Sequence, residues 1–415
     1  MGLRLGRALR SRNYRLFFFG QSISLVGTWL TRFATMWMVY RLTGSGKLLG
    51  AVAFAGQAPS FLLSPVAGVL VDRWNRHRTI VVMQVFAMLQ SGALALFALT
   101  GWMQVWHLMI LGAVQGVINA FDMPARQSFL GQMVEDRADL PNAIALNSSM
   151  VNGARLLGPV FAATLVELFG EGYCFAIDAA SYIAVIASLL LMTVPARPVR
   201  ARGGHVWTEM VAGWRYVVGH RTVRTMLLLL ASVSVLGGAY TTLLPMIAGD
   251  SLDGGPSTFG ILMAAAGLGA LVGALYLASR ETVHGLPQLV GYMTTALGLG
   301  LVGLWWAPST LVAVPFAFLC GLGFMAQMAS TNTVIQTLVD TDKLGRVMSL
   351  YGVAFFGGMP VGAVIQGALA DAIGPRATLL CCGIAVLLCA AAYRWAMPEV
   401  KAQPPTVVDD VAEAS

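Results

Sequence analysis

Charge is scarce in this 415-residue sequence: 11% of its residues are Asp, Glu, Lys or Arg, and 57% are hydrophobic. Soluble domains carry roughly a quarter charged residues, so a chain of this composition cannot cover a water-facing surface. A Gly-rich phosphate loop is also missing, which excludes an ATP-driven pump within the chain. The five His residues (His77, His107, His205, His220 and His284) are scattered without ligand spacing, and the five Cys residues form no Cys-x-x-Cys pair. No metal, cofactor or enzymatic activity is therefore expected. Cys174, Cys320, Cys381, Cys382 and Cys389 all fall in apolar runs and read as small packing residues. A signal-peptide cleavage site is absent too. Met1 to Arg15 is basic and leads into an apolar run, but that run is too long and lacks small residues at its end, so it is expected to stay attached as a first spanning helix.

What the chain has instead is long apolar segments, consistent with a mean hydropathy of +0.73. A spanning helix needs about 20 mostly apolar residues. Such segments occur near 14–40, 47–71, 79–100, 106–130, 140–168, 173–194, 223–248, 256–279, 286–306, 310–335, 346–372 and 376–397. They are continuously apolar and far longer than the roughly ten-residue alternating strands of a membrane barrel. The expected fold is an all-α membrane protein with 12 transmembrane helices.

The net charge of +7 could point to nucleic acid, but the positions of the 26 Lys and Arg argue otherwise. With the N-terminus inside, only Arg41, Lys47 and Arg376 fall in outer loops, and only Arg32 and Arg155 within spans. The rest lie in the N-terminal segment, in loops 2–3, 4–5, 6–7, 8–9 and 10–11, and beyond helix 12. This is the positive-inside pattern, and it puts both termini of a multi-pass inner-membrane protein in the cytoplasm with no nucleic-acid partner.

A polar break from Ala196 to Arg224 divides the spans into two sets of six. Residues 1–195 are expected to form an N-terminal six-helix bundle, 196–222 a cytoplasmic linker, 223–398 a C-terminal six-helix bundle, and 399–415 a disordered tail. Within the linker, Trp207, Val211, Trp214 and Val218 share one face of a surface-lying amphipathic helix. An offset of 204 residues aligns Gln132 with Gln336, Asp136 with Asp340, Leu140 with Leu344, Leu146 with Leu350, Gly158 with Gly362 and Gly170 with Gly374. A single gap-free offset favours duplication, so the two bundles are expected to be pseudo-symmetric, a plan found in transporters with parallel repeats.

Loop 2–3 reads Gly68-Val-Leu-Val-Asp72-Arg73-Trp74-Asn75-Arg76-His77-Arg78. It resembles the signature loop of the major facilitator superfamily, Gly-x-x-x-Asp-Arg-x-Gly-Arg-Arg, with Asn75 in place of the second Gly. Gly68 would let two helices approach closely, Asp72 would cap a neighbouring helix N-terminus, and Arg73 and Arg76 would pair with acids near loop 4–5. The resemblance implies a gating cluster that latches the halves on the inner side when the protein faces outward. The stretches Asn119-Ala-Phe-Asp122-Met-Pro124-Ala-Arg126-Gln127 and Leu140-Pro-Asn142-Ala-Ile-Ala-Leu-Asn147-Ser148 resemble the branch containing the enterobactin exporter and macrolide and drug efflux proteins. Gly158-Pro159 with Ala162 and Ala163 is similar to a helix 5 motif of proton-coupled exporters. Helix 4 departs from the pattern: Gly112 stands where such proteins often carry a membrane Arg, so a proton scheme using that Arg cannot apply.

Three polar stripes at helical spacing are expected to wall a hydrated cavity in the first half: Gln115, Asn119, Asp122 and Arg126 on helix 4; Ser148, Asn152 and Arg155 on helix 5; and Gln21, Thr28, Arg32 and Thr35 on helix 1. The second half offers uncharged groups: Tyr240, Thr241, Thr242, Gln327, Thr331, Asn332, Tyr351 and Gln366. Asp122 is the first choice for a proton-binding carboxylate and Asp178 a second. In the competing reading Asp122, or Glu135, pairs with Arg73 or Arg76. Arg155 either neutralises an anionic substrate, holds Asp122 charged or clamps helices. The expected function is proton-coupled efflux of a small amphipathic molecule by a monomer in the bilayer. A facilitative or import carrier, and a non-transporting scaffold or sensor, are the alternatives.

Overall fold

The computed structural model describes residues 6–193, 214–280 and 282–397. The expected tail at 399–415 and the first part of the expected linker helix, 207–213, lie outside the described residues; 214–219 is helical. The helices are α1 (Arg12–Thr43), α2 (Gly46–Arg73), α3 (Arg76–Leu99), α4 (Val105–Met133), α5 (Leu140–Phe169), α6 (Glu171–Leu190), α8 (Pro256–Ala278), α9 (Leu286–Trp306), α10 (Thr310–Leu338) and α12 (Pro375–Ala396). Two further helices are interrupted. α7 runs as Arg221–Leu236, a 3-10 turn Gly238–Thr242, one turn Leu244–Met246 and a π turn Ile247–Ser251, and α11 as Thr341–Gly352, a π turn Val353–Gly357 and Gly358–Ile373. Eleven helices among the described residues are long and apolar enough to cross a membrane. α1, although 32 residues long, is not among them, because its charged and polar residues dilute the apolar run.

Both interrupted helices lie where spans are expected, at 223–248 and 346–372. In α7, Gly237 and Gly238 sit where a Cβ would press on Leu297 and Phe324. The chain tightens there, and carbonyls are freed in a region where each must find a donor. Gln366 of α11 supplies it, its Nε2 donating to the carbonyls of Val235 at 2.9 Å and Leu236 at 3.0 Å. Gln366 is buried, so it serves as a splint for α7 and not as the cavity-facing group the sequence suggested.

α1 packs on α5 and α6, α3 on α4 and α6, and α2 on α4; in the second half α10 packs on α8 and α9, and α12 on α9 and α7. Small residues set these approaches, as in other helical membrane interfaces. Gly27 faces Asp178 and Ser181, and Gly321 lies against the backbone of Ala266. The 204-residue offset reappears in three dimensions. Gly158 of α5 packs on Trp29 of α1, while Gly362 of α11 packs on Val235 of α7. Gly170 and Gly374 end α5 and α11 with φ of 87° and 89°, a left-handed region costly for other residues.

Two seams join the halves. α2 lies on α11 through Gly46, Gly50, Ala363 and Gly367, and α5 lies on α8 through Pro159, Ala163 and Gly260. Phe33 of α1 stacks on Phe259 of α8 with ring centroids 4.4 Å apart.

Candidate functional site

Hydrogen bonds between the halves gather at the end bearing loops α1–α2, α5–α6, α7–α8 and α11–α12. Asp371, at the end of α11, accepts from the backbone N–H groups of Gly46 and Lys47 and from the Ser45 hydroxyl, the last at 2.7 Å. It thereby caps the N-terminus of α2 from the other half, a position where a carboxylate meets unsatisfied N–H groups and the positive end of the helix dipole. Glu167, exactly one repeat earlier in the 204-residue register, accepts from Ser257 at the start of α8. The two carboxylates, 204 residues apart, are clasps on helix starts. The Tyr40 hydroxyl donates to Asp250 at 2.6 Å, adding a fifth bond between the halves.

The opposite, arginine-rich end is open. Asp72, Arg73 and Trp74 are exposed, and a Cβ on Gly68 would meet nothing within 4 Å. The close approach expected at Gly68 is absent in this conformation. Arg76 pairs with Asp72 at 3.4 Å, four residues earlier, instead of with an acid of loop 4–5. Asp72 does not cap α3 either: Asn75 does, accepting from the Arg78 N–H at 3.1 Å. Asn75, which broke the expected loop pattern, is thus an N-cap with the preferred side chain.

The expected polar stripes divide on inspection. Arg32 and Ser148 are exposed, and Thr28, Thr35, Gln115, Asn119, Asn152 and Arg155 are half-buried. Arg32 and Arg155 flank one ring, their guanidinium carbons 5.1 and 5.8 Å from the centre of Trp29. Gln115 donates to Asn119 at 3.1 Å on the same face of α4. Several residues expected in the wall lie inside the bundles instead. Gln21, Gln327 and Thr331 are buried, with Gln327 donating to Thr331 at 3.3 Å, and Tyr351 is buried with its hydroxyl on the Met328 carbonyl at 3.1 Å. Helical spacing assigns a face but not which neighbour covers it, and α10 is flanked by both α8 and α9. Thr241 and Asn332 keep solvent contact.

Neither candidate acid faces the cleft. Asp122 is buried between α3 and α4, ion-paired with Arg126 one turn on and accepting from Gln84 at 2.8 Å. Its partner is therefore neither Arg73 nor Arg76. Removing one member of a buried pair leaves an uncompensated charge, typically at a cost of about 3–5 kcal/mol. Arg126→Leu is accordingly expected to lower the melting temperature of the purified protein sharply. The double variant Asp122→Asn/Arg126→Gln should recover most of the loss, and unchanged melting of the single variant would refute the pairing.

Asp178 of α6 is buried at the junction of α1, α3 and α6. Its Oδ2 accepts from Thr31 at 2.7 Å and Ser91 at 2.8 Å, while Oδ1 has no partner among the described residues. Thr31 and Ser91 were not singled out from sequence; isolated hydroxyls in apolar runs carry no signal until a carboxylate lies opposite. Gly158 and Pro159 do not line the cleft. Pro159 builds the seam, its carbonyl against Gly260, while Gly158 packs on Trp29 of α1.

The chain is similar to known transport proteins over nearly its whole length. The family described as "Transmembrane secretion effector" matches residues 7–412. The chain is 24% identical to the staphyloferrin A transporter of Staphylococcus aureus over 89% of this chain and 93% of that one. It is 26% identical to the enterobactin exporter of Shigella boydii over 90% and 89%. In fold it resembles a bacterial homolog of the human lysosomal transporter Spinster, solved in an inward-facing and occupied conformation. The TM-score is 0.73 at 14% identity, over 94% of this chain and 97% of that one.

Proposed function

The chain belongs to the transmembrane secretion effector family of the major facilitator superfamily, and on that premise we propose that this membrane transporter exports a small amphipathic organic compound in exchange for protons. It works by alternating access between two pseudo-symmetric six-helix bundles, with α1 as the twelfth span. The observation that carries this reading is the asymmetry of the seam. One end is closed by Asp371, Glu167 and Tyr40, and the other is open at Gly68 and Asp72.

By the distribution of Lys and Arg, the open end is cytoplasmic and so are both termini. An inward-open state is the one in which an exporter loads. Reversal would bring Gly68 and the Asp72 to Arg76 cluster against the other half, while the two clasps separate. Asp178 is the better-supported coupling acid. Asp122 is occupied by Arg126, whereas Asp178 holds one unpartnered oxygen and lies within electrostatic reach of Arg32, which opens on the cleft. Relatives named as an enterobactin exporter and a staphyloferrin A transporter support a small-molecule substrate.

Everted vesicles from cells expressing the protein are expected to accumulate substrate drawn from an aromatic-compound panel when acidified inside, and to lose it on adding a protonophore. Accumulation indifferent to the protonophore would favour a facilitative carrier. No flux for any compound would favour a scaffold.

A further inference from the structure

Arg32 and Arg155 are two cations near the middle of membrane helices, on α1 and α5, against the same indole ring. Placing one such charge at a helix centre costs at least about 2.5 kcal/mol on insertion scales, and two of like sign repel one another as well. An arginine kept only to clamp helices needs one ring and one partner. Here two guanidiniums share a single ring, and among the described residues neither makes an ion pair or hydrogen bond. Asp178 lies within electrostatic reach of Arg32, but its bonds go to Thr31 and Ser91. Arg32 is exposed as a residue and Arg155 is half-buried, and protein surrounds both guanidiniums.

Some of the uncharged donors on this wall are taken up by their own helices. Thr28 donates to the Ser24 carbonyl at 3.0 Å and Asn152 to the Ser148 carbonyl at 2.9 Å. The planar forks of the two arginines remain, a geometry suited to paired oxygens of a carboxylate. Trp29, held against Gly158 where any Cβ would collide, offers a fixed aromatic face between them. In the second half, the residues still open to solvent include Thr241, Asn332, Phe355 and Phe356, which carry no charge.

We propose that Arg32, Trp29 and Arg155 form the recognition site for a small organic anion, a carboxylate or similar oxyanion attached to an aromatic or otherwise planar apolar body. The proposal deepens the exporter reading above and rests on it for the direction of transport. The two arginines draw the acid group into the cleft, Trp29 stacks on the body, and the uncharged half closes over the apolar remainder. With Asp178 ionised the three charges sum to +1, so a single anionic group leaves the closed site neutral.

The test uses the full chain in phosphatidylcholine nanodiscs and pairs of probes matched in shape: benzoate with benzamide, 2-naphthoate with 2-naphthamide, and phthalate with phthalamide. Acids are expected to bind at least 10-fold more tightly than their amides. Arg32→Gln and Arg155→Gln should each weaken the acids by 10-fold or more and leave the amides within about twofold. Arg32→Lys and Arg155→Lys, which keep the charge but lose the fork, should fall between, and all four variants should retain the melting temperature of the parent.

Amides binding as well as acids, or variants that weaken both alike, would overturn the assignment. So would displacement of 2-naphthoate by phosphatidylglycerol added to the nanodiscs, which would give the arginines to a lipid headgroup. Counterflow in proteoliposomes separates this proposal from the transport reading. Arginine-dependent binding of acids without exchange would leave the anion site and sink the carrier, whereas exchange of neutral compounds unaffected by either Arg→Gln change would do the reverse.

Discussion

Asp178→Asn is expected to reduce proton-driven accumulation to the level of vesicles lacking the protein, while substrate exchange without a gradient persists. The argument starts from shape. Asn matches Asp in size, and its remaining carbonyl oxygen can keep both bonds that Oδ2 now accepts, from Thr31 at 2.7 Å and Ser91 at 2.8 Å. Packing of α1, α3 and α6 around the site is therefore preserved, including the Gly27 contact, where the carboxylate lies too close for any added Cβ. What disappears is the capacity to gain and lose a proton beside Arg32. A transporter so altered can still rock between its two states with substrate bound, which exchange requires, but nothing ties the return step to a proton. The parallel double variant Asp122→Asn/Arg126→Gln, which leaves no uncompensated charge, should retain accumulation, because that carboxylate is committed to Arg126 and Gln84. If this double variant abolished accumulation while keeping the melting temperature of the parent, the roles would be interchanged. Loss of both activities in Asp178→Asn, together with a lower melting temperature, would reduce Asp178 to a structural hub.

The expectations that came through best were those resting on long-range regularity. Continuous apolar runs located the helices, because a backbone in lipid must bond within its own segment. The 204-residue offset anticipated the paired Gly170 and Gly374 caps and the paired Gly158 and Gly362 contacts, because residues at matching positions of similar helices meet similar close approaches. Partner choice was less legible. The face shared by Asp122 and Arg126 was read as a cavity wall, yet Gln84 of α3 covers it. Gln366, Gln327 and Thr331 were read the same way and are interior. A polar residue in an apolar run must find a partner, and periodicity does not say whether that partner is water, a substrate or the next helix. The clasps escaped notice for a different reason: Glu167 and Asp371 stand at helix ends, where a carboxylate looks like ordinary surface until the opposite half brings a helix N-terminus to it.

Two glycine substitutions are expected to push the conformational equilibrium in opposite directions. At Gly367, any Cβ would overlap the carbonyl oxygen of Gly46 and crowd the backbone of Gly50, so Gly367→Val must drive α11 and α2 apart at the closed end. Overpacking of this kind costs about 1–3 kcal/mol. Because the opposite state relieves it, the cost appears as a shift of roughly 5- to 150-fold toward the outward-open form. Gly68→Val meets nothing within 4 Å here and should leave this state undisturbed, yet in the proposed cycle it would occupy space that α2 needs when the arginine-rich end closes. It should therefore trap the inward-open form. Spin labels on Thr43→Cys and Ala372→Cys, in a chain relieved of its native cysteines, report the distance across the seam. A longer population is expected for Gly367→Val, and a single short one for Gly68→Val under conditions that populate both in the parent. Transport should fall at least 10-fold in both, since a cycle needs each state. Identical distance distributions in the parent and both variants would show that these glycines do not govern which end is open, and with that the alternating use of the two ends would lose its structural basis.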